Sequence, residues 1–288
     1  MPTLDRISPL IDHFRVRTRL FNAGRVCGVT SYAPRPGQGF IHVLRDGHMT
    51  AVHRGPDGRT ESIEVDKPSV LLYPRPVDHT FHADGEIDLV CAAVDFDGGE
   101  DHPLVRTLPP VVVMDLAEIE SLDMTLMLLF SEVDRVRCGH RVLADRLLEV
   151  VLIQMYRWML DHPKDLDLPP GLLIGLSDPQ LSRALIAMHA HPDHPWTLTS
   201  LARESALSRS SFAARFRSRV GQTPMGYLSG WRITVAQQRL RSGDSVGRTA
   251  ASLNYSSSTA FSRAFSKQVG CSPRAWLSEV STDSADVI

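Results

Sequence analysis

The chain has 288 residues, of which 43% are hydrophobic and 22% charged, and its formal net charge is -2. This length is typical of two domains, the ordinary apolar content excludes disordered and low-complexity classes, and four scattered cysteines without a CxxC pair exclude a disulfide framework or a zinc ribbon. The charged N-terminus has no signal-peptide core and no apolar run approaches the ~20 residues of a bilayer span, so we predict a cytoplasmic protein with no membrane partner.

Residues 25–97 show the pattern of a β-domain. Four strand-sized runs, rich in apolar and β-branched residues, are separated by turns such as Asp46-Gly47 and Asp57-Gly58. Short strands at this regular spacing favour a small barrel or sandwich. The four runs are residues 40–44, 49–53, 70–73 and 87–94.

The spacing of apolar residues becomes helical after Pro109 and Pro110. Residues 116–136 and 140–162 each have the apolar period of a helix. This helix pair either caps the β-domain or forms a dimer interface, and the sequence leaves both alternatives open. The stretch of Asp and Pro that follows predicts a linker over residues 164–177.

An internal repeat with an offset of 49 residues lies in the last third of the chain. The offset places Phe212 on Phe261, and a matched glycine and proline after each phenylalanine indicate two copies of one unit. Each copy has the pattern helix, tight turn, helix, in which Ser208 caps the second helix of the first copy. Residues 224–241 predict one rigid helix that holds the two copies about one turn of DNA apart.

The second helix of each copy has a polar and basic outer face, which suits the major groove of DNA. Residues 1–177 hold 18 Lys and Arg against 26 Asp and Glu, a net charge of -8, whereas residues 178–288 hold 13 against 7, a net charge of +6.

In the second copy of the repeat, either Ser256 or Ser257 caps the second helix. The alternative is a generic basic helical bundle, which the paired caps and stops make the weaker interpretation.

These residues resemble the AraC/XylS family of transcription regulators. Each copy ends in the family's Gly-x-x-Pro pattern, at residues 221–224 and 270–273. Three positions depart from the family: Asn254 replaces the usual Gly, Thr249 the usual Ile, and Ala260 a larger side chain. Asn tolerates a left-handed turn nearly as well as Gly, so the first departure is mild. The other matching residues are Leu198, Leu201, Ala202, Leu207, Ser208, Phe212, Phe216, Tyr227, Leu228, Trp231, Arg232, Ala236, Arg239, Leu240, Ala250, Tyr255, Ser257, Phe261, Ser262, Arg263, Phe265 and Trp276.

The resemblance implies two helix-turn-helix units that place recognition helices in successive major grooves of promoter DNA, and it makes RNA polymerase a candidate partner. Carried over by position, the residues implied to contact bases are Ser210, Ala213, Ala214, Ser258, Thr259, Ser262 and Arg263. The residues expected to serve phosphates, which position the protein without reading sequence, are Arg209, Arg215, Arg217 and Lys267.

The N-terminal half is similar to the cupin-type domain found in one branch of this family, over most of residues 5–160. Metal cupins need about three histidines and a carboxylate. His42 and His79 fall where ligands could lie, and His53 and His82 are possible substitutes for the missing ligands. A transition metal therefore competes with ordinary surface or core histidines. A metalloenzyme of the cupin oxygenase type, fused to a DNA-binding domain, is the alternative function. The sequence contains no catalytic constellation, so we expect a regulator and not an enzyme.

Cys27 and Cys91 fall on predicted strands of the β-domain, in about the regions where oxidant-sensing members of that branch have cysteines. They are therefore candidate redox residues, and Arg25 near Cys27 favours its thiolate. The alternative for Cys91, which lies in an apolar run, is a buried cysteine that only packs.

Together these patterns predict an α+β chain, with an N-terminal cupin-like β-barrel or sandwich, a helical segment, and a C-terminal all-α domain of two helix-turn-helix units. The expected divisions are residues 1–112 for the sensor domain, 113–163 for a helical dimerisation or packing segment, 164–177 for a linker and 178–280 for the DNA-binding domain. We expect a homodimer without a required cofactor, in which a small molecule or an oxidant alters the orientation or exposure of the DNA-binding domain.

Overall fold

The computed structural model describes residues 4–55, 57–106, 108–120, 122–166 and 168–283, with side chains described as far as residue 278. The chain divides into two compact units, of which the first is Phe14–Pro169 and the second combines Met1–His13 with Pro170–Ile288. Within the described residues no helix is long and apolar enough to cross a membrane.

The first unit is built on an antiparallel sheet whose central strand is its longest. That strand, His79–Phe96, pairs with three other strands. The sheet forms a β half-barrel, which confirms the fold class predicted for this half of the chain. The strands described are β1 (Val16–Tyr32), β2 (Gln38–Asp46), β3 (Met49–Arg54), β4 (Thr60–Val65), β5 (Ser69–Tyr73), β6 (His79–Phe96) and β7 (Val112–Asp115). Their order is β4-β3-β6-β2-β5-β7, and β1 pairs with β6.

The core of this unit lies against the middle strands of the sheet. Every residue of β5 and the first seven of β2 are buried, as expected for strands covered on both faces. Aromatic side chains fill the centre of the core, among them Phe40, Tyr73 and Phe81. The four strand-sized runs of the sequence correspond to β2, β3, β5 and β6.

Helices form most of the remaining described chain. In chain order they are α1 (Ser8–His13), α2 (Leu122–Asp134), α3 (His140–Asp161), α4 (Leu172–Ser177), α5 (Leu181–Ala190), α6 (Leu198–Glu204), α7 (Arg209–Val220), α8 (Pro224–Arg241), α9 (Val246–Ser252), α10 (Ser258–Val269) and α11 (Pro273–Asp283).

Helices α2 and α3 pack against each other and against β1. The backbone carbonyl of Asp145 in α3 accepts a hydrogen bond from Thr18 Oγ1, and its carboxylate accepts one from the backbone N–H of Leu20 (2.6 Å). These bonds cover part of the β1 edge that β6 does not pair. The helix pair therefore caps the sheet, which was one of the two roles that the sequence left open.

Two expected boundaries of the sensor domain are wrong. Strand β7 pairs with β5, so the sheet continues past residue 112, and residues 116–118 form a 3-10 turn where a helix was expected to begin. Residues 4–13 belong to the second unit, because Leu10 of α1 is buried there and His13 Nε2 donates to the carbonyl of His189 in α5 (3.2 Å).

The predicted linker at residues 164–177 is also too long. Helix α4 occupies its last six residues and buries Leu172, Leu173 and Leu176 within the second unit. A single short helix has too few turns to show a clear apolar period, so Pro169, Pro170 and Gly171 dominated the sequence pattern.

The second unit contains the predicted repeat as two helix-turn-helix units, α6–α7 and α9–α10, joined by α8. Ser208 caps α7 and Ser257 caps α10, which decides between Ser256 and Ser257. Both helices end at a glycine in the left-handed conformation, Gly221 (φ 82°) and Gly270 (φ 92°). The predicted rigid helix over residues 224–241 is α8, with Pro224 in its first turn.

Candidate nucleic-acid interface

A tight turn sets the angle between the two helices of each helix-turn-helix unit. Ala206 (φ 52°) in the first turn and Asn254 (φ 61°) in the second adopt the left-handed conformation. The N–H that follows each of them donates back to the first helix, to the carbonyl of Ala202 (2.9 Å) or of Ala250 (3.1 Å). Both alanines are buried, as a close helix crossing requires.

Paired phenylalanines hold the inner face of each recognition helix. Phe212 and Phe216 of α7 lie edge to face at 5.5 Å, and Phe261 and Phe265 of α10 at 5.7 Å. All four rings are fully buried. Because i and i+4 share one face of a helix, this burial leaves the opposite face of each helix exposed.

The exposed faces carry the side chains that the sequence predicted for DNA. The exposed residues are Arg209, Ser210, Ala214 and Arg217 on α7, and Ser258, Thr259, Arg263 and Lys267 on α10. Partly exposed are Ala213, Arg215 and Ser262. The structure thus groups the predicted residues on two helix faces of one compact unit.

Four of the five basic residues in this set have no ion-pair partner within the described part of the chain. They are Arg209, Arg217, Arg263 and Lys267. Arg215 differs, because its Nε donates to Asp178 Oδ2 (2.7 Å) and its Nη1 to Gln180 Oε1 (2.7 Å). The phosphate role expected for Arg215 therefore competes with an intramolecular ion pair.

A hollow of about 310 Å³ lies beside the exposed face of α7. Its lining is mostly apolar and includes the methyl groups of Ala213 and Ala214, with the Arg217 side chain among its walls. Four of its lining residues are not among the residues predicted to contact DNA, and they are Leu198, Thr223, Pro224 and Met225. Met225 lies at the start of α8 and is exposed.

A cluster of buried imidazole and phenol rings lies in the core of the β half-barrel. His42 Nε2 and His79 Nε2 are 2.9 Å apart, and the His79 ring stacks on Tyr73 at 3.9 Å. Burial lowers the pKa of His79 to about 4, and burial together with the neighbouring His79 lowers the pKa of His42 well below its ordinary value. Both rings are neutral at physiological pH, so they can share a single N–H.

The same cluster does not supply the ligand set of a metal cupin. Within the described residues no group of three or more His, Cys, Asp or Glu side chains is arranged to hold a metal ion. Of the two possible substitutes, His53 lies 3.5 Å from Glu61 and His82 is exposed. His42 and His79 remain two candidate ligands, and no chemical step is assigned to a metal.

The two candidate redox cysteines lie far apart on the sheet. Cys91 on β6 is opposite Asn22 of β1, so Cys27 lies five residues further along β1, or about 16 Å away. A disulfide requires Cα atoms within about 7 Å. Cys27 is exposed, whereas Cys91 is buried and its thiol pKa is raised to about 12 by desolvation.

Two capped recognition helices with exposed polar and basic faces, on a chain that also has a β half-barrel unit, define a DNA-binding transcription regulator. A family model described as a cupin matches residues 5–161, and one described as a helix-turn-helix domain matches residues 201–279. The chain belongs to the AraC family of transcription regulators with an N-terminal cupin domain.

Known relatives agree with this assignment. The chain is 32% identical over 253 residues to the HTH-type transcriptional regulator AlkR of Acinetobacter baylyi, covering 80% of this chain and 82% of that protein. It is 30% identical to a putative AraC-like transcription regulator of Streptomyces lividans, covering 78% and 84%. Among solved structures, the DNA-binding domain of AdpA in complex with a target DNA has 30% identity and a TM-score of 0.33, and the match covers 35% of this chain and 92% of that one. The relatives from Acinetobacter baylyi and Streptomyces lividans are transcription regulators and not enzymes.

Proposed function

We propose that this protein binds promoter DNA sequence-specifically as a homodimer in the cytoplasm, and that its cupin domain controls this binding in response to a small-molecule effector. The observation that carries the proposal is the exposure of polar and basic side chains on both α7 and α10, with their aromatic faces buried. Such helices fit the major groove.

The helix between the two recognition helices has a suitable length for this role. Helix α8 has 18 residues and is therefore about 27 Å long, comparable with the ~34 Å between successive major grooves on one side of DNA. It is anchored by buried Tyr227, Trp231 and Leu240. A rigid spacer of this kind supports simultaneous insertion of α7 and α10.

Sequence reading is tested on α10 with Arg263→Ala and the matched control Lys267→Ala. Duplexes are first selected from a random library by the wild-type chain, and dissociation constants are then measured on selected and random duplexes. Arg263→Ala should cost about 1–3 kcal/mol on the selected duplex and relax the preference at one base step. Lys267→Ala should weaken both duplexes alike. Equal weakening by Arg263→Ala on both duplexes would remove its role in reading.

The outer faces of α2 and α3 support a dimer. Six of the eleven exposed large hydrophobic side chains in the described chain lie on α2 and α3, and they include Met127 and Val150. Monomeric proteins seldom leave so many apolar groups exposed together. A second copy of the same helix pair would cover them by two-fold symmetry.

The dimer proposal is tested by sedimentation of the full chain with Met127→Lys and Val150→Lys combined. The variant should be monomeric at concentrations where the wild type is dimeric, because the charges must be desolvated in the interface. Met225→Lys, an equally conspicuous exposed apolar position in the other unit, should stay dimeric. A monomeric wild type, or a dimeric double variant, contradicts the proposed interface.

An oxidant is the second candidate effector, suggested by a relative named as an RCS-specific activator in Escherichia coli, which is 36% identical over 104 residues. That match covers only 36% of this chain. The buried Cys91 thiol and its distance from Cys27 weigh against this candidate. DNA occupancy measured with and without hypochlorite, on wild type and on Cys27→Ser, separates the two candidates.

A further inference from the structure

The segment Gly171 to Asp178 runs along the inner side of α7, the first recognition helix, and we call it the clamp. The backbone N–H of Gly171 donates to the carbonyl of Arg219 (2.9 Å). At Gly175 the chain is so close to α7 that a Cβ atom there would lie 2.7 Å from Val220 Cγ2. At its end, Asp178 pairs with Arg215. The clamp therefore contacts the C-terminal half of α7 at three points.

Asp178 is the most strongly bound residue of the clamp. Its side chain is 4% exposed, and its carboxylate accepts hydrogen bonds from Arg215 Nε (2.7 Å) and from the backbone N–H groups of Gln180 (3.0 Å) and Leu181 (3.2 Å). Burial alone would raise the pKa of Asp178, but these hydrogen bonds outweigh it and the pKa lies below its ordinary value. A buried carboxylate held in this way fixes the guanidinium of Arg215.

In the part of the chain that the structure describes, the second recognition helix has no counterpart of this arrangement. The repeat offset carries Arg215 onto Ala264 and Arg219 onto Gln268. Helix α10 instead rests on α8, where a Cβ at Gly230 would lie 2.9 Å from Gln268 Nε2. The support of α10 is thus internal to residues 201–279, whereas α7, besides its contacts with α6 and α8, is also supported by a segment outside that match.

We propose that Asp178, acting through Arg215, is a positioning residue for DNA reading by α7. This inference depends on the proposed function, because it requires that α7 reads DNA. The guanidinium of Arg215 is committed to Asp178 and Gln180, so its contribution is to hold the helix and not to neutralise a phosphate. The clamp directly follows the chain that leaves the cupin unit, which places this support where the linker enters the DNA-binding unit.

The test compares Asp178→Asn and Arg215→Gln with the control Arg217→Gln in the full-length chain. Asn at position 178 retains an oxygen that accepts from the backbone N–H groups of Gln180 and Leu181, but it loses the charge that pairs with Arg215. Dissociation constants are measured at several salt concentrations on a duplex selected from a random library by the wild type, and on a random duplex of equal length.

Both positioning variants should lower the preference for the selected duplex about tenfold, the equivalent of one poorly read base pair, while binding to random DNA stays near the wild-type value. The variant that combines Asp178→Asn with Arg215→Gln should lose no more of this preference than Arg215→Gln alone, because the two residues act as one pair. The Arg217→Gln control should weaken both duplexes and reduce the salt slope by about 0.9.

Gly175→Ala tests the contact between the clamp and α7 independently, because it changes no charge. The added methyl must displace Val220 or Leu185, so selectivity should fall, whereas Gly247→Ala on α9 meets only Ser258 Oγ at 3.7 Å and should preserve it. Circular dichroism establishes that each variant is folded, and if Arg215→Gln does not fold, Gly175→Ala decides. The proposal is overturned if Arg215→Gln behaves like Arg217→Gln or if the folded clamp variants retain full selectivity. A wild type that selects no sequence instead overturns the proposed function.

Discussion

Burial decides what the ionisable side chains inside the cupin domain can do. The Cys91 thiol is fully buried, and desolvation raises its pKa to about 12 despite a hydrogen bond with Tyr32 Oη (3.3 Å). Desolvation lowers the pKa of His79 to about 4 and holds the pKa of His42 well below its ordinary value. All three groups are therefore uncharged at neutral pH, so the core carries polar atoms without carrying charge.

The cysteines should differ sharply in reactivity. Iodoacetamide at pH 8 should alkylate the exposed Cys27 and Cys138 of the folded chain and leave Cys91 unmodified, because the reactive thiolate of Cys91 is scarcely populated. Mass spectrometry of proteolytic peptides identifies the modified sites, and Cys91→Ser should give the same pattern. Prior unfolding in urea should expose all four cysteines. Fast alkylation of Cys91 in the folded chain would restore the redox hypothesis.

The stability of the cupin domain should fall with acid. Since the pKa of His79 is about 4 when folded and about 6.5 when unfolded, the unfolded chain binds the extra proton as the pH falls through this window. Stability is complete above pH 6.5, and the His79 contribution shrinks by about 2 kcal/mol between pH 7.5 and 5.0. Urea unfolding at these two pH values should show a smaller loss for His79→Gln than for the wild type. Equal losses would contradict the assignment.

For single residues, the sequence predicted where notable side chains lie better than it predicted which other side chains they contact. It singled out His42 and His79, which the sheet brings to 2.9 Å from each other. It also assigned Arg215 to DNA, since a basic residue on a recognition helix has no local partner in the sequence. Its partner Asp178 is 37 residues earlier, and a contact of that separation depends on tertiary packing that no local pattern encodes.

Among the elements, the two helix-turn-helix units depend on a residue with positive φ in each turn. Ala206 and Asn254 occupy this conformation, where glycine is free of the Cβ clash and asparagine tolerates it better than alanine. The departure of Asn254 from the family pattern is therefore mild, as the sequence predicted. The turn that contains Ala206 is therefore the more strained of the two.

Replacing Ala206 by Gly should accordingly stabilise the chain by about 0.5–1 kcal/mol, because the relief of the left-handed clash exceeds the added entropy of the unfolded chain. The control is Ala251→Gly, at an exposed position within α9, which should destabilise by about 1 kcal/mol. Thermal unfolding of the two variants beside the wild type gives the signs. A loss of stability in Ala206→Gly would show that the turn is not strained.

Long, periodic or capped elements were predictable, and short ones were not. Helices α3, α7, α8 and α10 and strands β2, β3, β5 and β6 follow from apolar period, turns and caps. Helices α1 and α4 have six residues each, which is less than two turns, so they show no period and their positions follow from burial in the helical unit. The strand pairing that continues the sheet into β7 is likewise a tertiary event.

For the whole molecule, the basic side chains that face DNA, more than the net charge of each half, determine how DNA binding responds to salt. Residues 178–288 carry a net charge of +6 and residues 1–177 a net charge of -8. A net +6 is modest for a DNA-binding unit, so the placed side chains matter more than bulk charge. Arg209, Arg217, Arg263 and Lys267 are the four basic side chains of the two recognition faces without an ion-pair partner in the described chain.

Three of these side chains predict the salt dependence of binding and connect it to oligomeric state. Arg209, Arg217 and Lys267 are the expected phosphate contacts, since Arg263 is expected to read a base. Each phosphate contact contributes about -0.9 to the slope of log K against log salt, so one protomer should give about -3 and a dimer on two half-sites about -5. Titrations of the selected duplex at four or more salt concentrations measure this slope. The monomeric Met127→Lys, Val150→Lys variant should return the smaller value. A wild-type slope near -3 on a two-half-site duplex would mean that one protomer binds at a time, and the dimer would have no part in DNA affinity.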